Sequence, residues 1–223
     1  MGPSRVERMA PLAGVLFSVI VVVGILVGGE TPDSGASPAE ILDHYEDEGP
    51  IFVGIIALLL AGIVLLFFAG VLRRHLAAVG PEWLATVVFG GAVAIAVGLG
   101  TFLSSQVALV DAADKNQEAT LQTLNVLDNS NFGPAVIGLA VMYLASAWHV
   151  ISSRSLPVWI GWLSLLLGIM SVLGPLGFVA FLAFPIWVLI VSIALFRRVT
   201  DRSAPEQITA TSSEQPAPRP SAS

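Results

Sequence analysis

Residues 156–196 read LPVWIGWLSLLLGIMSVLGPLGFVAFLAFPIWVLIVSIALF and contain no charged side chain. A helix crosses the hydrocarbon core of a bilayer with about 20 apolar residues, so this stretch predicts two membrane spans. Residues 174–177, Gly-Pro-Leu-Gly, divide the two spans. Arg154 precedes the stretch and Arg197 follows it, so both ends are expected on the same side of the membrane.

The rest of the chain has the same apolar character. Of its 223 residues, 55% are hydrophobic and 12% are charged, and a soluble domain of this composition would expose large apolar patches. Four more apolar segments precede residue 156, so the predicted fold is an all-α, polytopic membrane bundle of six transmembrane helices. The predicted spans are residues 11–29, 51–72, 83–104, 132–151, 157–175 and 177–196, which together form one transmembrane domain over residues 11–198.

The two ends of the chain are polar. Residues 1–10 are predicted to be a short cytoplasmic N-terminus, and residues 199–223 a disordered cytoplasmic tail rich in Pro, Ser, Thr and Ala. Because Arg5 and Arg8 precede an apolar run, a secretory signal peptide is the alternative interpretation of residues 11–29. That run is longer than the usual apolar core of about 7–15 residues and no A-x-A cleavage motif follows it, so a retained span is favoured.

The basic residues favour one orientation of the six spans. With the N-terminus inside, nine of the ten Lys and Arg residues lie in cytoplasmic segments, and only Lys115 lies outside. Positively charged residues are retained on the cytoplasmic side during insertion. The sequence therefore predicts a multi-pass plasma-membrane protein with both termini in the cytoplasm and with acidic outer loops.

Short amphipathic helices are predicted in both long outer loops. Residues 37–40, Ser-Pro-Ala-Glu, have the form of a helix start, with Ser as the N-cap and Glu three residues later. In the second loop, residues 105–131, leucines recur at helical spacing at positions 121, 124 and 127. This second helix is expected to lie on the membrane surface or to fold onto the bundle.

Polar residues of the second loop form the candidate binding site. If the loop helix folds inward, they would line a small polar pocket at the outer mouth of the bundle. The candidate residues are Gln106, Asp111, Asn125, Asp128 and Asn131. Helix capping and solvation are the alternative explanation for the same residues.

No catalytic residue, cofactor or metal is predicted. The centres of the predicted spans contain no ionisable side chain, whereas such groups mark proton-coupled transporters and intramembrane proteases. No phosphate-binding loop, dinucleotide fingerprint or hydrolase elbow occurs, and the absence of cysteine excludes thiolate metal sites. The basic residues are too few and too scattered for nucleic-acid binding.

Two groups that contain histidine leave weaker alternatives open. One face of the first loop helix carries a histidine among carboxylates, namely Glu40, His44, Asp47 and Glu48. This set could bind a divalent cation, although a solvated acidic face is favoured. His75 and His149 each lie near the inner surface and could form a pH-sensitive or metal-binding pair, although two unrelated interfacial residues are favoured.

Small residues predict how the helices pack, because close backbone approach stabilises helix contacts in lipid. The predicted packing residues are Gly24 and Gly28 on the first span, Gly90, Ala94 and Gly98 on the third, and Gly161, Ser164, Gly168 and Ser171 on the fifth. Packing within the bundle is favoured, and a homodimer face on the first span is the alternative. Pro185 is predicted to kink the sixth span, because it removes a backbone donor and crowds the carbonyl of Phe181.

Several stretches resemble a known family. They are ASPAEILDHYEDE at 36–48, FFAGVLRRHL at 67–76, GPEWLATV at 80–87, LQTLNVLDN at 121–129 and the long apolar stretch at 156–196. Together they resemble uncharacterised six-span bacterial membrane proteins of an actinobacterial type, a domain of unknown function. The resemblance covers about residues 10–198 and implies the topology above, with no activity or site residue attached.

Three functional hypotheses follow. The first is a non-enzymatic accessory, regulatory or scaffold component whose partners are the lipid bilayer and another membrane protein or a second copy. The second is a small transporter or carrier of an apolar or lipid-like molecule, since such a ligand requires no buried charge. The third is an outer-surface enzyme that uses the loop residues Asp111, Asp114, Asn125 or Asp128 in acid–base chemistry.

Overall fold

The chain is α-helical throughout the part that this computed structural model describes, which is residues 9–29, 31–46 and 48–213. No strand occurs in these residues, so the predicted all-α class is confirmed. Their helices are α1 (Leu12–Gly28), α2 (Pro38–Glu46), α3 (Glu48–Ala77), α4 (Glu82–Asp114), α5 (Glu118–Ser130), α6 (Gly133–Ser153), α7 (Val158–Ser171), α8 (Pro175–Leu182) and α9 (Phe184–Ser213). Most of the predicted N-terminus (residues 1–8) and the end of the predicted tail (214–223) lie outside the described residues, and α9 enters the remainder of that tail.

Several of these helices are long and apolar enough to cross a membrane. In the described residues they are Gly49–Ala77, Glu82–Asp114 and the stretch Glu118–Ser153, which comprises α5 and the more apolar α6, and the bent pair Pro175–Leu182 with Phe184–Arg198 makes a fourth. Two apolar helices, α1 and α7, have 17 and 14 residues and are shorter than a full span. These lengths fit a membrane protein, and the number of six crossings stays a prediction.

Some of these helices extend well beyond the apolar core of a bilayer. The 33 residues of α4 cover about 50 Å at about 1.5 Å per residue, whereas the hydrocarbon core is about 30 Å thick. The last ten residues of α4 project together with α5, and α2 packs on both. We call this unit, made of α2, α5 and residues 105–114, the cap.

The cap has its own apolar core. Ile41 and Tyr45 of α2 contact Leu109 of α4 and Leu121 of α5, and all four side chains are buried. The start of α2 is the predicted capping box, because the Ser37 N–H donates to a carboxylate oxygen of Glu40 at 2.8 Å. The Glu40 N–H donates to the Ser37 hydroxyl at 3.3 Å, so the sequence pattern at this helix start is confirmed.

The tightest packing in the bundle joins α4 to α6. A Cβ atom placed on Gly138 would lie 2.6 Å from the backbone nitrogen of Ile95, and one on Gly91 would lie 2.7 Å from that of Met142. On Gly98 it would lie 2.7 Å from the backbone nitrogen of Ala135. The predicted seam on this helix was therefore wrong by one position at its start, because a Cβ placed on Gly90 would meet no atom of another helix within 4 Å.

Other predicted small residues also face neighbouring helices of the same chain. A Cβ on Gly24 would lie 2.9 Å from the Cβ of Ala57, and one on Gly28 would lie 3.6 Å from the Cα of Gly54. This face of α1 therefore packs on α3. Gly168 of α7 likewise lies against Leu144 of α6.

Polar side chains join α7, α8 and α9 to the rest of the bundle. The indole Nε1 of Trp187 donates to the hydroxyl of Ser164 at 2.8 Å, and the hydroxyl of Tyr143 donates to the carbonyl of Ala180 at 3.1 Å. The hydroxyl of Ser171 donates to the Leu167 carbonyl four residues earlier on the same helix. In lipid, packing and hydrogen bonds of this kind replace the hydrophobic driving force.

The chain bends by 40° between α8 and α9. The break lies immediately before Pro185, where the ring removes one backbone donor and crowds the preceding turn. The hydroxyl of Ser18 on α1 donates to the Pro185 carbonyl at 2.7 Å, which ties α1 to the start of α9. At the other end of α8, Gly174 has a φ of 55°, a left-handed conformation that glycine adopts without strain.

Candidate functional site

An apolar cavity of about 500 Å³ lies between α1, α3, α4, α6, α8 and α9, next to the cap. Its walls are mostly aliphatic and aromatic, and the large side chains include Phe17, Ile95, Phe102, Phe181 and Phe184. Ligand pockets in proteins usually measure about 300–1,000 Å³ and are lined in this way. The cavity is therefore large enough for a small molecule or an acyl chain.

The bend before Pro185 lies beside the cavity. Pro185, Phe184, Leu182 and Phe181 all line it, so the cavity lies along the broken part of the α8–α9 segment. The proline break therefore forms part of the cavity wall.

The cavity has a lateral opening between α1 and α8. These two helices both line the cavity but make little direct contact, since α1 packs on α3 and α9 whereas α8 packs mainly on α7 and α6. Three side chains at this opening line the cavity and are also exposed at the surface of the bundle. Ile25 is 52% exposed, Phe178 58% and Leu182 47%. In a bilayer, this opening would face the lipid chains.

One end of the cavity is polar and lies at the cap. Thr31, His44, Gln106 and Asn131 line it there. Gln106 is buried, and both ends of its amide are engaged. The hydroxyl of Tyr45 donates to its Oε1 at 3.1 Å, and its Nε2 donates to Oδ2 of Asp128 at 3.0 Å.

Asp128 and Asn125 of α5 are both 1% exposed and support this polar end from behind. The Nδ2 of Asn125 donates to the carbonyl of Asp33 at 2.6 Å, which ties α5 to the segment before α2. Oδ1 of Asn125 and Oδ1 of Asp128 have no hydrogen-bond partner among the described residues. Burial raises the pKa of Asp128 to about 6, and hydrogen bonds from Ser105 and Gln106 offset part of that rise.

Tyr45 responds to the same surroundings. Burial and the nearby carboxyl of Asp128 both raise the pKa of its phenol, while the hydrogen bond with Gln106 lowers it. Tyr45 therefore stays protonated and remains a donor to Gln106. The row Tyr45, Gln106 and Asp128 joins α2, α4 and α5 across the end of the cavity.

Residues 12–200 match a family model described as a domain of unknown function, DUF4386. The chain belongs to this family. The match covers most of the chain and confirms the predicted membership in a domain of unknown function. No curated protein and no solved structure matches the chain.

The five candidate residues separate into two groups in this DUF4386 chain. Gln106, Asn125 and Asp128 are buried together, and Asn131 lines the cavity. Asp111 lies apart on the exposed side of α4, where its carboxylate accepts hydrogen bonds from the ammonium of Lys115 at 2.7 and 2.8 Å. Sequence reasoning missed Tyr45 as a site residue, and its place one helical turn after Ile41 was the available signal.

The alternative histidine groups have structural explanations. Within the described residues no group of three His, Asp or Glu side chains is arranged to hold a metal ion, and Asp47 and the side chain of Glu48 lie outside them. His75 and His149 both reach Ser155 at the other end of the bundle, through contacts of 3.2 Å to its carbonyl and 3.1 Å to its hydroxyl. Arg198 donates to the same carbonyl, so this family member holds the start of α7 with a hydrogen-bonded cluster.

Proposed function

We propose that the protein is an integral plasma-membrane protein that binds a lipid-like molecule in the cavity and acts as its carrier, without enzymatic activity. The observation that carries this proposal is the apolar cavity of about 500 Å³ with an opening between α1 and α8. An apolar chain requires no buried charge, which agrees with the uncharged centres of the helices.

The size of the cavity supports an occupant. Its volume of about 500 Å³ lies within the range of about 300–1,000 Å³ of pockets that bury most of the surface of a small ligand. Because the opening faces the bilayer, the occupant enters from the lipid.

The cavity favours the carrier hypothesis over the two others. A scaffold or accessory protein needs surfaces and no internal space. An outer-surface enzyme would need its carboxylates close together, but Asp111 is bound to Lys115 on an exposed face whereas Asp128 is buried behind Gln106. The proposal therefore adopts the carrier role.

The proposed orientation has six crossings, with the cap outside and both termini in the cytoplasm. The arginines at the end of α3 and after α6 support it, because they lie at the ends of helices away from the cap. The chain contains no cysteine, so single introduced cysteines report without background. In intact cells, a membrane-impermeant maleimide should label Lys115→Cys and should leave Arg154→Cys unlabelled, and the reverse pattern would invert the topology.

A headless photoreactive probe tests the cavity itself. The protein is reconstituted into phosphatidylcholine vesicles that contain hexadecane with a diazirine, irradiated, and analysed by mass spectrometry. The expected labels are on cavity residues such as Phe102 and Phe181, in addition to a uniform background on lipid-facing positions.

Two substitutions on α4 provide the matched comparison. Leu99 lines the cavity, whereas Val97 is exposed and does not line it. Leu99→Trp should fill space and reduce cavity labelling about fivefold or more, and Val97→Trp should leave it unchanged. Labelling that is equal at the two sites, or insensitive to Leu99→Trp, would contradict the proposed function.

A further inference from the structure

We propose that the cap end of the cavity binds an uncharged, hydroxyl-bearing head group and rejects an anionic one. This inference rests on the proposed function and names the class of amphiphile that the cavity takes: a single apolar chain with a neutral alcohol at its end. It is carried by the charges around the cap end and by the fixed orientation of Gln106.

The charges near the cap end are negative. None of the described residues that line the cavity is Lys or Arg. Carboxylates of Asp33, Glu40 and Asp43 surround an open groove that shares His44 with the cavity, and Asp128 lies behind Gln106. An anionic head group would lose its hydration here and would meet only like charges, which is strongly unfavourable.

His44 is the one basic side chain at this end among the described lining residues. Burial lowers the pKa of its imidazole, and the neighbouring Asp43 offsets part of that effect. The imidazole is therefore neutral at neutral pH. It can exchange hydrogen bonds with a head group but supplies no positive charge to attract an anion.

Gln106 determines which neutral head group fits. Its Oε1 already accepts from Tyr45 and one N–H of its Nε2 donates to Asp128, so the amide cannot rotate without breaking both bonds. One acceptor lone pair and one N–H remain for a ligand. A hydroxyl can satisfy both, because it donates to Oε1 and accepts from Nε2–H.

Charged head groups satisfy at most half of this pair. A carboxylate or sulfonate has no proton to donate to Oε1, and a trimethylammonium has neither a proton to donate nor a lone pair to accept from Nε2–H. A buried polar group left without a partner weakens binding. Asp128 does not line the cavity, so it acts as a positioning residue that orients Gln106 and adds negative charge behind it.

Three probes with one common chain test the inference. Photoreactive hexadecyl chains that carry a hydroxyl, a sulfonate or a trimethylammonium head are compared in the same phosphatidylcholine vesicles near pH 7.5. The hydroxyl probe should label the cavity about tenfold more strongly than either charged probe, the factor expected from one or two net hydrogen bonds. Stronger labelling by the sulfonate or the trimethylammonium probe would overturn the assignment.

The outcome separates this inference from the proposed function. If the headless hexadecane probe labels the cavity but the three head groups label it equally, the carrier proposal stands and the head-group inference fails. If no probe labels the cavity, the carrier proposal fails first.

Substitutions at the polar end sharpen the test. Gln106→Leu should abolish the preference for the hydroxyl probe while hexadecane labelling persists, and Gln106→Glu should reduce sulfonate labelling further. Asp128→Asn keeps the shape and the acceptor oxygen but removes the charge, so it should raise sulfonate labelling relative to hydroxyl labelling. The matched control is Asp111→Asn, an exposed carboxylate on α4, which should leave all ratios unchanged.

Size-exclusion profiles identify any variant that fails to fold. If Gln106→Leu is misfolded, the near-isosteric Gln106→Glu carries the test alone. Ratios that stay constant in Gln106→Glu and in Asp128→Asn would contradict the inference.

Discussion

The α4–α6 seam and the lateral opening between α1 and α8, here called the gap, lie in one bundle and are built from the same kinds of residue. The seam is closed, whereas the gap is open. At the seam, glycines bring two backbones together so closely that a Cβ on Gly138 would lie 2.6 Å from a backbone nitrogen. At the gap, a 40° bend turns α8 away from the line of α9. Apolar composition therefore does not decide packing in this bundle, because glycines close one interface while the other lies beside a proline break.

The largest expected effect is a loss of stability on the closed side of this comparison, the α4–α6 seam. Gly91 and Gly90 are neighbours on α4, but only Gly91 faces the α6 backbone. Gly91→Ala should destabilise the protein by about 3 kcal/mol, because backbone atoms at 2.7 Å cannot move aside easily. Gly90→Ala should be neutral or stabilising by up to about 1 kcal/mol. Thermal unfolding in detergent measures both, and a similar loss in the two variants would show that the seam is not backbone-limited.

The next effect is the dependence of stability on pH, which arises from Asp128 in the cap. The pKa of Asp128 is about 6 in the folded protein against an ordinary value of 3.8, so the folded state binds a proton more tightly than the unfolded state. Stability should therefore fall as pH rises from about 4 to about 6 and stay level above that, a total of roughly 2–3 kcal/mol.

Asp128→Asn should flatten this dependence. Hydrogen exchange of the α5 amides at pH 5 and pH 7.5 measures it locally, with faster exchange expected for the native protein at pH 7.5 after correction for intrinsic rates. Identical pH profiles for the native protein and Asp128→Asn would show that another group controls the cap.

A smaller effect on stability tests the hydrogen bond that joins α9 to α7. Trp187→Phe keeps most of the ring but removes the Nε1 donor to Ser164, and it should cost about 1 kcal/mol. Ser164→Ala should cost a similar amount. A double variant that loses the simple sum of the two would indicate that this hydrogen bond contributes nothing of its own.

The smallest expected effect tests whether the proline break produces the open side. Pro185→Ala restores a backbone donor and should straighten α8 toward α9, which would narrow the cavity and reduce hexadecane labelling about threefold, equivalent to less than 1 kcal/mol. Pro157→Ala, at the start of α7 and away from the cavity, is the control. Unchanged labelling in Pro185→Ala would separate the cavity from the bend.

The sequence predicts the elements of this bundle because their signals are local. Apolar runs, the capping box at Ser37 and Glu40 and the leucine spacing of α5 each depend on residues within one or two helical turns. The same locality limits the prediction of the seam, where Gly90 and Gly91 differ only by about 100° of rotation on α4. Which of two adjacent glycines faces a partner depends on where α6 lies.

The candidate site depends more on distant contacts. Asp111 and Asp128 look alike in the sequence, since both are carboxylates on loop helices at the same end of the bundle. Asp111 pairs with Lys115 four residues away, whereas Asp128 meets Gln106, which is separated from it by 22 positions. The cavity is harder still to predict, because it results from six helices that no sequence pattern links.

The unbroken length of α4 has a mechanical consequence. It carries Glu82 near the arginine-rich end and Gln106 near the cap with no interruption between them. A ligand that shifts Gln106 would therefore act on a helix whose other end lies at the arginine-rich end of the bundle. This one helix thus connects the polar end of the cavity to the opposite end of the bundle without a break in the chain.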